Sequence, residues 1–261
     1  LERTAEQVRR TRLSRRAFFA IAIGSLVGGI FLLWVGSDAM VQLVVDRIPI
    51  EWERTPGEAA QAQSLAAQSV IKEGPAVAAV EEITKRLSDQ VPNNPYTFRI
   101  TVVRSDIVNA FALPGGSVVV FTGLLKKAES PEEVAGVLGH ELNHVLLRHG
   151  MARLVKTAGL VAVVSILVGE QPGGGVAKQL AVDLLTLKFS REQETEADLG
   201  GLRLLRRASI DPKGMITFFE RLSENDQLQI EILSTHPMSG GRAERLKAEA
   251  GSLPKGEPVP F

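Results

Sequence analysis

The chain has 261 residues, 44% of them hydrophobic, enough to bury one sizeable core with a small appendage. Its 30 basic and 30 acidic residues cancel, so there is no electrostatic case for nucleic acid as a partner. Cysteine is absent, which excludes thiolate metal ligands and a cysteine nucleophile and leaves histidine and carboxylate for any metal work.

The charge is unevenly spread. Arg3, Arg9, Arg10, Arg12, Arg15 and Arg16 crowd residues 1–16, against Glu2 and Glu6. An uncharged run from Ala17 to Val35 follows, long enough to span a bilayer. Basic residues before an apolar span predict a cytoplasmic N-terminus, an anchor over residues 17–36 and everything after it on the far side of the membrane. A cleaved signal peptide, with small residues at Ser37-Asp38-Ala39, and a buried core helix are the alternatives. Ser14-Arg15-Arg16-Ala17-Phe18-Phe19 also matches part of a twin-arginine export signal.

Residues 37–56 read as a linker onto a domain over 57–250, with a proline-containing tail at 251–261. Thr55-Pro56 opens an Ala-rich helix to about Lys72, and Pro75 opens another to about Val91. Thr97–Val103, Ile107–Ala112 and Ser117–Thr122 are β-branched and apolar enough for three short strands, with Leu113-Pro114-Gly115-Gly116 turning between the last two. Ser130-Pro131-Glu132-Glu133 has the form of a capping box and starts a helix that Gly150 can stop. Leu154–Val168 is apolar but short for a span, and either a buried or lid-like helix or one touching the bilayer fits it. After the glycine loop at 171–175, a long helix is expected over Val176–Arg207. Two further helices follow, one from Asp211-Pro212 and one over Gly241–Ala250.

The chemistry concentrates in His140-Glu141-Leu142-Asn143-His144. Histidines four apart lie on one helical face and can reach a single zinc ion, with Glu141 placed to take a proton from an attacking water. Sites of this kind need a third protein ligand. Glu194 and Asp198 share a face of the downstream helix, so Glu194 can bind metal while Asp198 accepts a hydrogen bond from a ligating histidine. Glu192 and Glu196 fall on other faces and read as solvated charges. His149, five residues past His144, is expected to point away from the metal face. Asn143 and Tyr96 are assigned no role.

The chain resembles the membrane-associated gluzincin metalloproteases, the family of HtpX, the CAAX prenyl protease, BepA and the mitochondrial overlapping-activity protease. The resemblance rests on Asn109-Ala110-Phe111-Ala112-Leu113-Pro114-Gly115-Gly116, Thr122-Gly123-Leu124-Leu125, the H-E-x-x-H helix, Ser190-Arg191, Glu194-x-x-Ala197-Asp198, and Thr235-His236-Pro237 with Arg242. It implies a mainly helical α+β, zincin-like domain with a small sheet before the metal helix. It also implies one Zn2+ per chain on His140, His144 and Glu194. An edge strand along the cleft would bind an extended peptide, and His236 would donate to the oxyanion, with Arg242 the second candidate. His236 could instead fill the metal's open position at rest. The activity implied is endoproteolysis of misfolded or unassembled envelope proteins at a bacterial-type inner membrane, with the domain on the periplasmic side. A tethered chaperone-like factor with a silent metal site is the alternative.

Overall fold

A computed structural model describes residues 23–26, 28–29, 40–159, 175–186, 188–224, 236 and 241–252. The chain divides into two units, Leu1–Arg47 and Ile48–Phe261. In the first, short helical stretches occupy 23–26, 28–29 and 40–45, with Ile23 and Leu26 exposed. Among the described residues no helix is long and apolar enough to cross a membrane. Most of the expected span Ala17–Val35 lies outside them, as do the apolar run beyond Gly159 and the tail after Ser252.

The second unit begins with a 3-10 turn at Ile50–Glu53, which leads into α1 (Arg54–Leu65), β1 (Ser69–Ile71), α2 (Pro75–Ser88) and β2 (Arg99–Arg104). A hairpin follows, β3 (Ala110–Leu113) and β4 (Ser117–Phe121), then α3 (Thr122–Lys127), α4 (Pro131–Leu146) and α5 (His149–Ala158). The remaining elements are α6 (Gly175–Thr186), α7 (Arg191–Arg207), α8 (Lys213–Glu224) and α9 (Arg242–Ser252). This is the mainly helical α+β architecture, with a small sheet before the H-E-x-x-H helix, that the resemblance implies.

The sheet order is β1-β2-β4-β3, with β2 parallel to β4 and the outer pairs antiparallel. β4 is buried at every residue, as its Val-Val-Val run requires of a strand covered on both faces. β1 was not expected: the first helix ends at Leu65 rather than near Lys72, and β-branched Val70 and Ile71 pair with β2 instead. β3 forms an edge. Phe121 N–H donates to Asn109 O, so in the antiparallel alternation the backbone groups of Ala110 and Ala112 face away from β4.

Three helices surround α4. Leu138 and Leu142 of α4, Leu202 and Leu205 of α7, and Phe218 and Leu222 of α8 share one core with Val80, Leu87, Val118 and Val120. α4 and α7 cross at Gly139 and Gly201, where a methyl built on Gly201 would meet His140 N at 3.1 Å. That close approach sets the residues of α7 beside the H-E-x-x-H face.

Ser130 caps α4 by accepting from Glu133 N–H, but the capping box is not reciprocal. The Glu133 carboxylate accepts from Glu129 N–H instead and pairs with Arg221 of α8. The single long helix expected over Val176–Arg207 is also two helices. α7 starts afresh at Ser190, which forms the reciprocal box with Gln193, and Phe189 occupies the break. The serine competes for backbone donors and wins at this point because a second terminus is worth capping.

Candidate metal centre

His140 and His144, one turn apart on α4, bring their Nε2 atoms to 3.0 Å. Glu194, in the first turns of α7, places Oε2 at 3.6 Å from His140 Nε2 and Oε1 at 3.5 Å from His144 Nε2. His236 enters from outside both helices, its Nδ1 at 3.1 Å from His140 Nε2 and 2.8 Å from Glu194 Oε1. One ligand-type atom from each of these four buried residues lies within 4.8 Å of the others.

The donor set fits a divalent metal. Atoms bound tetrahedrally at 2.0–2.1 Å stand about 3.3 Å apart, and the observed separations bracket that value. His140 Nδ1 lies 2.9 Å from Asp198 Oδ1 and donates to it, which leaves the Nε2 lone pair directed into the cluster. Glu194 Oε2 is buried and accepts no hydrogen bond there, although Arg242 Nη1 stands 3.0 Å away as an ion pair. Imidazole lone pairs converging on one another beside a carboxylate are costly in a closed interior unless a cation sits among them.

The electrostatics agree. Burial pushes the His144 pKa well below its ordinary value, favouring the neutral imidazole that metal binding requires. Burial alone would raise Glu194, but its interactions with the surrounding imidazoles of His140, His144 and His236 outweigh it and hold the carboxyl low. Asp198 is depressed in the same way: burial opposes, and His140 and Arg242 prevail. His236 moves upward, because Glu141 and Glu194 outweigh a burial that works against its charged form.

Glu141 lies one residue past His140 and is equally buried. Its Oε2 accepts from Ala112 N–H of the edge strand at 3.0 Å. Its Oε1 has no hydrogen-bond partner and stands 3.4 Å from His236 Nε2. Arg242, the first residue of α9, grips Asp198 with Nε and Nη2 at 2.5 and 2.7 Å and lays its guanidinium over Phe219. The structure thus commits much of this arginine to two carboxylates of α7.

His149 departs from expectation. A continuous helix would carry it away from the metal face, but α4 ends at Leu146, and Arg148 takes a left-handed conformation at φ 59° before α5 begins. The turn swings His149 back into the interior, where its Nδ1 meets His144 Nδ1 at 3.0 Å. Glu196 keeps a largely exposed side chain, yet reaches His149 Nε2 at 3.1 Å. Phe189 was not singled out either; it stacks on His144 at 3.9 Å between centroids and on His236 at 5.3 Å. A helix-period pattern carries no trace of an aromatic in a break, so only the Ser190 cap signal could have pointed to it.

The family model for peptidase family M48 matches residues 76–250, which include α4, α7 and the four clustered residues. The chain belongs to peptidase family M48. It is 39% identical over 159 residues to the mitochondrial metalloendopeptidase OMA1 of Arabidopsis thaliana, covering 60% of this chain and 32% of that one. It is 32% identical over 180 residues to the metalloprotease YcaL of Escherichia coli, covering 66% and 68% respectively. Identity to the beta-barrel assembly-enhancing protease of Escherichia coli is 30% over 189 residues, 67% of this chain and 39% of that protein. The matched region therefore spans only 32% of the first of these relatives and 68% of the second.

Proposed function

We propose that the M48 domain is a zinc-dependent metalloendopeptidase, with His140, His144 and Glu194 as ligands and Glu141 as general base. The observation that carries this reading is the convergence of those three side chains beside a buried glutamate oxygen with no hydrogen-bond partner. His140, His144 and Glu194 would hold a divalent ion, which would supply the Lewis acidity that acidifies water and polarises a scissile carbonyl. The edge-strand amide of Ala112 fixes Glu141 by Oε2 and turns Oε1 toward the cluster. That oxygen takes a proton from the attacking water and passes it to the leaving amine. Asp198 orients His140, and Arg242 holds Asp198 and faces Glu194. The remaining outward backbone groups of Ala110 and the Ala112 carbonyl suit an extended peptide laid along β3.

His236 stands among the ligand atoms in this conformation, with Nε2 toward Glu141. This favours a resting state in which His236 occupies the space where an attacking water would otherwise enter. When substrate displaces it, the same imidazole can donate to the oxyanion. Hydrolysis of casein and of unfolded envelope proteins by the full chain tests both roles. Glu141→Gln should lose about 10²–10⁴-fold in turnover with its metal content unchanged. Turnover near that of wild type would remove Glu141 as base, and no turnover by the wild-type chain would turn the reading toward a chaperone-like factor. His236→Ala should raise basal cleavage if the resting contact dominates, and lower it if the donor does.

The arginine-rich start and the uncharged run at 17–35 support an anchor with the catalytic unit beyond the membrane, periplasmic in a bacterial cell. Misfolded or unassembled envelope proteins are then the substrates within reach. In sealed inverted vesicles the unit should resist added protease; its digestion there would reverse the orientation.

A further inference from the structure

His149 is buried, titratable and unused by the steps above, and it touches a proposed ligand from behind. We propose that His149 and Glu196 form an orienting relay for His144, matching what Asp198 does for His140. The inference rests on the metal-site reading. Two protons serve the four atoms from Glu196 Oε2 through His149 Nε2 and Nδ1 to His144 Nδ1. Glu196 is a carboxylate, which only accepts, so His149 Nε2 at 3.1 Å must carry the proton and donate. A neutral imidazole protonated on Nε2 has its lone pair on Nδ1. That lone pair meets His144 Nδ1 at 3.0 Å, so His144 donates there and keeps its own lone pair on Nε2, the atom that faces His140 Nε2 and Glu194. Both nitrogens of His149 are thereby occupied outside the cluster, which makes it a positioning residue and excludes it as a further ligand.

The geometry supports a dedicated arrangement. Arg148 spends the unfavourable left-handed conformation that turns the chain back, which a non-glycine residue adopts only where the surroundings hold it. Its guanidinium is held by buried Glu53 at 2.5 Å and by Ile48 O at 2.8 Å. The Phe189 ring lies against His144, so the ligand imidazole is confined on a face as well as at Nδ1. Glu196 and Asp198 both stand on α7, so one helix supplies the carboxylate behind each histidine.

The test is metal affinity of the purified full chain, by chelator competition with Zn2+, beside the visible spectrum of the Co2+-loaded protein and the melting temperature of the metal-free form. His149→Leu removes the acceptor and should weaken Zn2+ binding about 10- to 100-fold. His149→Asn, whose Oδ1 takes the place of Nδ1, should recover part of that loss. Glu196→Ala, at an exposed side chain that leaves the fold alone, should weaken binding several-fold and shift the Co2+ bands. Unchanged affinity and spectrum in Glu196→Ala, together with equal affinities for His149→Leu and His149→Asn, would overturn the relay. Wild type and Glu194→Ala separate the two levels. If wild type holds no stoichiometric metal, or Glu194→Ala binds as tightly, the site reading has failed; if both controls behave, only the relay is in question.

Discussion

At the residue scale, the site is a set of groups whose charges are settled by their neighbours. That makes the metal-free protein acid-sensitive in a defined way. Asp198 and Glu194 have depressed pKa values, so each contributes stability above the ordinary carboxylate range near 4, lost as pH falls through its lower folded value. His144 is also depressed: it stays neutral in the fold while the unfolded chain takes a proton below about 6.5, so stability declines from there downward. His236 has the opposite sign, since its raised pKa adds stability below about 6.5 that is lost as pH rises through its folded value. The two histidines act on opposite sides of about pH 6.5, His236 above it and His144 below, and the carboxylates add to the fall below about 4. Melting temperatures in EDTA across this range should show that acid limb, and Asp198→Asn should flatten it. An acid limb unchanged in Asp198→Asn would assign it elsewhere.

The elements were partly legible in the sequence, for reasons that differ from one to the next. The α4 helix could be read from Ser130-Pro131 and a helical apolar period, and β2 to β4 from β-branched runs around Pro114-Gly115-Gly116. β1 is three residues long and takes its identity from pairing with β2, so its own residues could not announce it. The break before α7 lies in a stretch whose apolar period runs on across it, and the Ser190 cap outweighs that continuity. That His140 and His144 share one helical face, and Glu194 and Asp198 another, was legible because each pair stands four residues apart on one helix. His149 was misread because an unbroken helix was extrapolated through Arg148, where the backbone reverses. The contact between α4 and α8 carries its own prediction. A methyl on Gly136 would stand 2.5 Å from Met215 Cα, a backbone atom that cannot rotate away. Gly136→Ala should cost about 1–3 kcal/mol and lower the melting temperature by several degrees. An unchanged melting temperature would mean the two helices separate at little cost.

On the scale of the whole molecule, the site is drawn from three stretches far apart along the chain: His140 to His144, Glu194 to Asp198, and His236 to Arg242. The end of α4 is braced from the other direction by Glu53, which also accepts from Tyr96 OH and Gly115 N–H. A chain made from its N-terminus emerges with the H-E-x-x-H helix well before α9. Until α9 arrives, Asp198 has no arginine, and His140 is left with an untethered carboxylate behind it. Domains of this kind fold as units once their segments are present. Completion of the cluster is therefore timed by synthesis itself: the four side chains and the arginine behind them cannot come together until the chain has been made past Arg242.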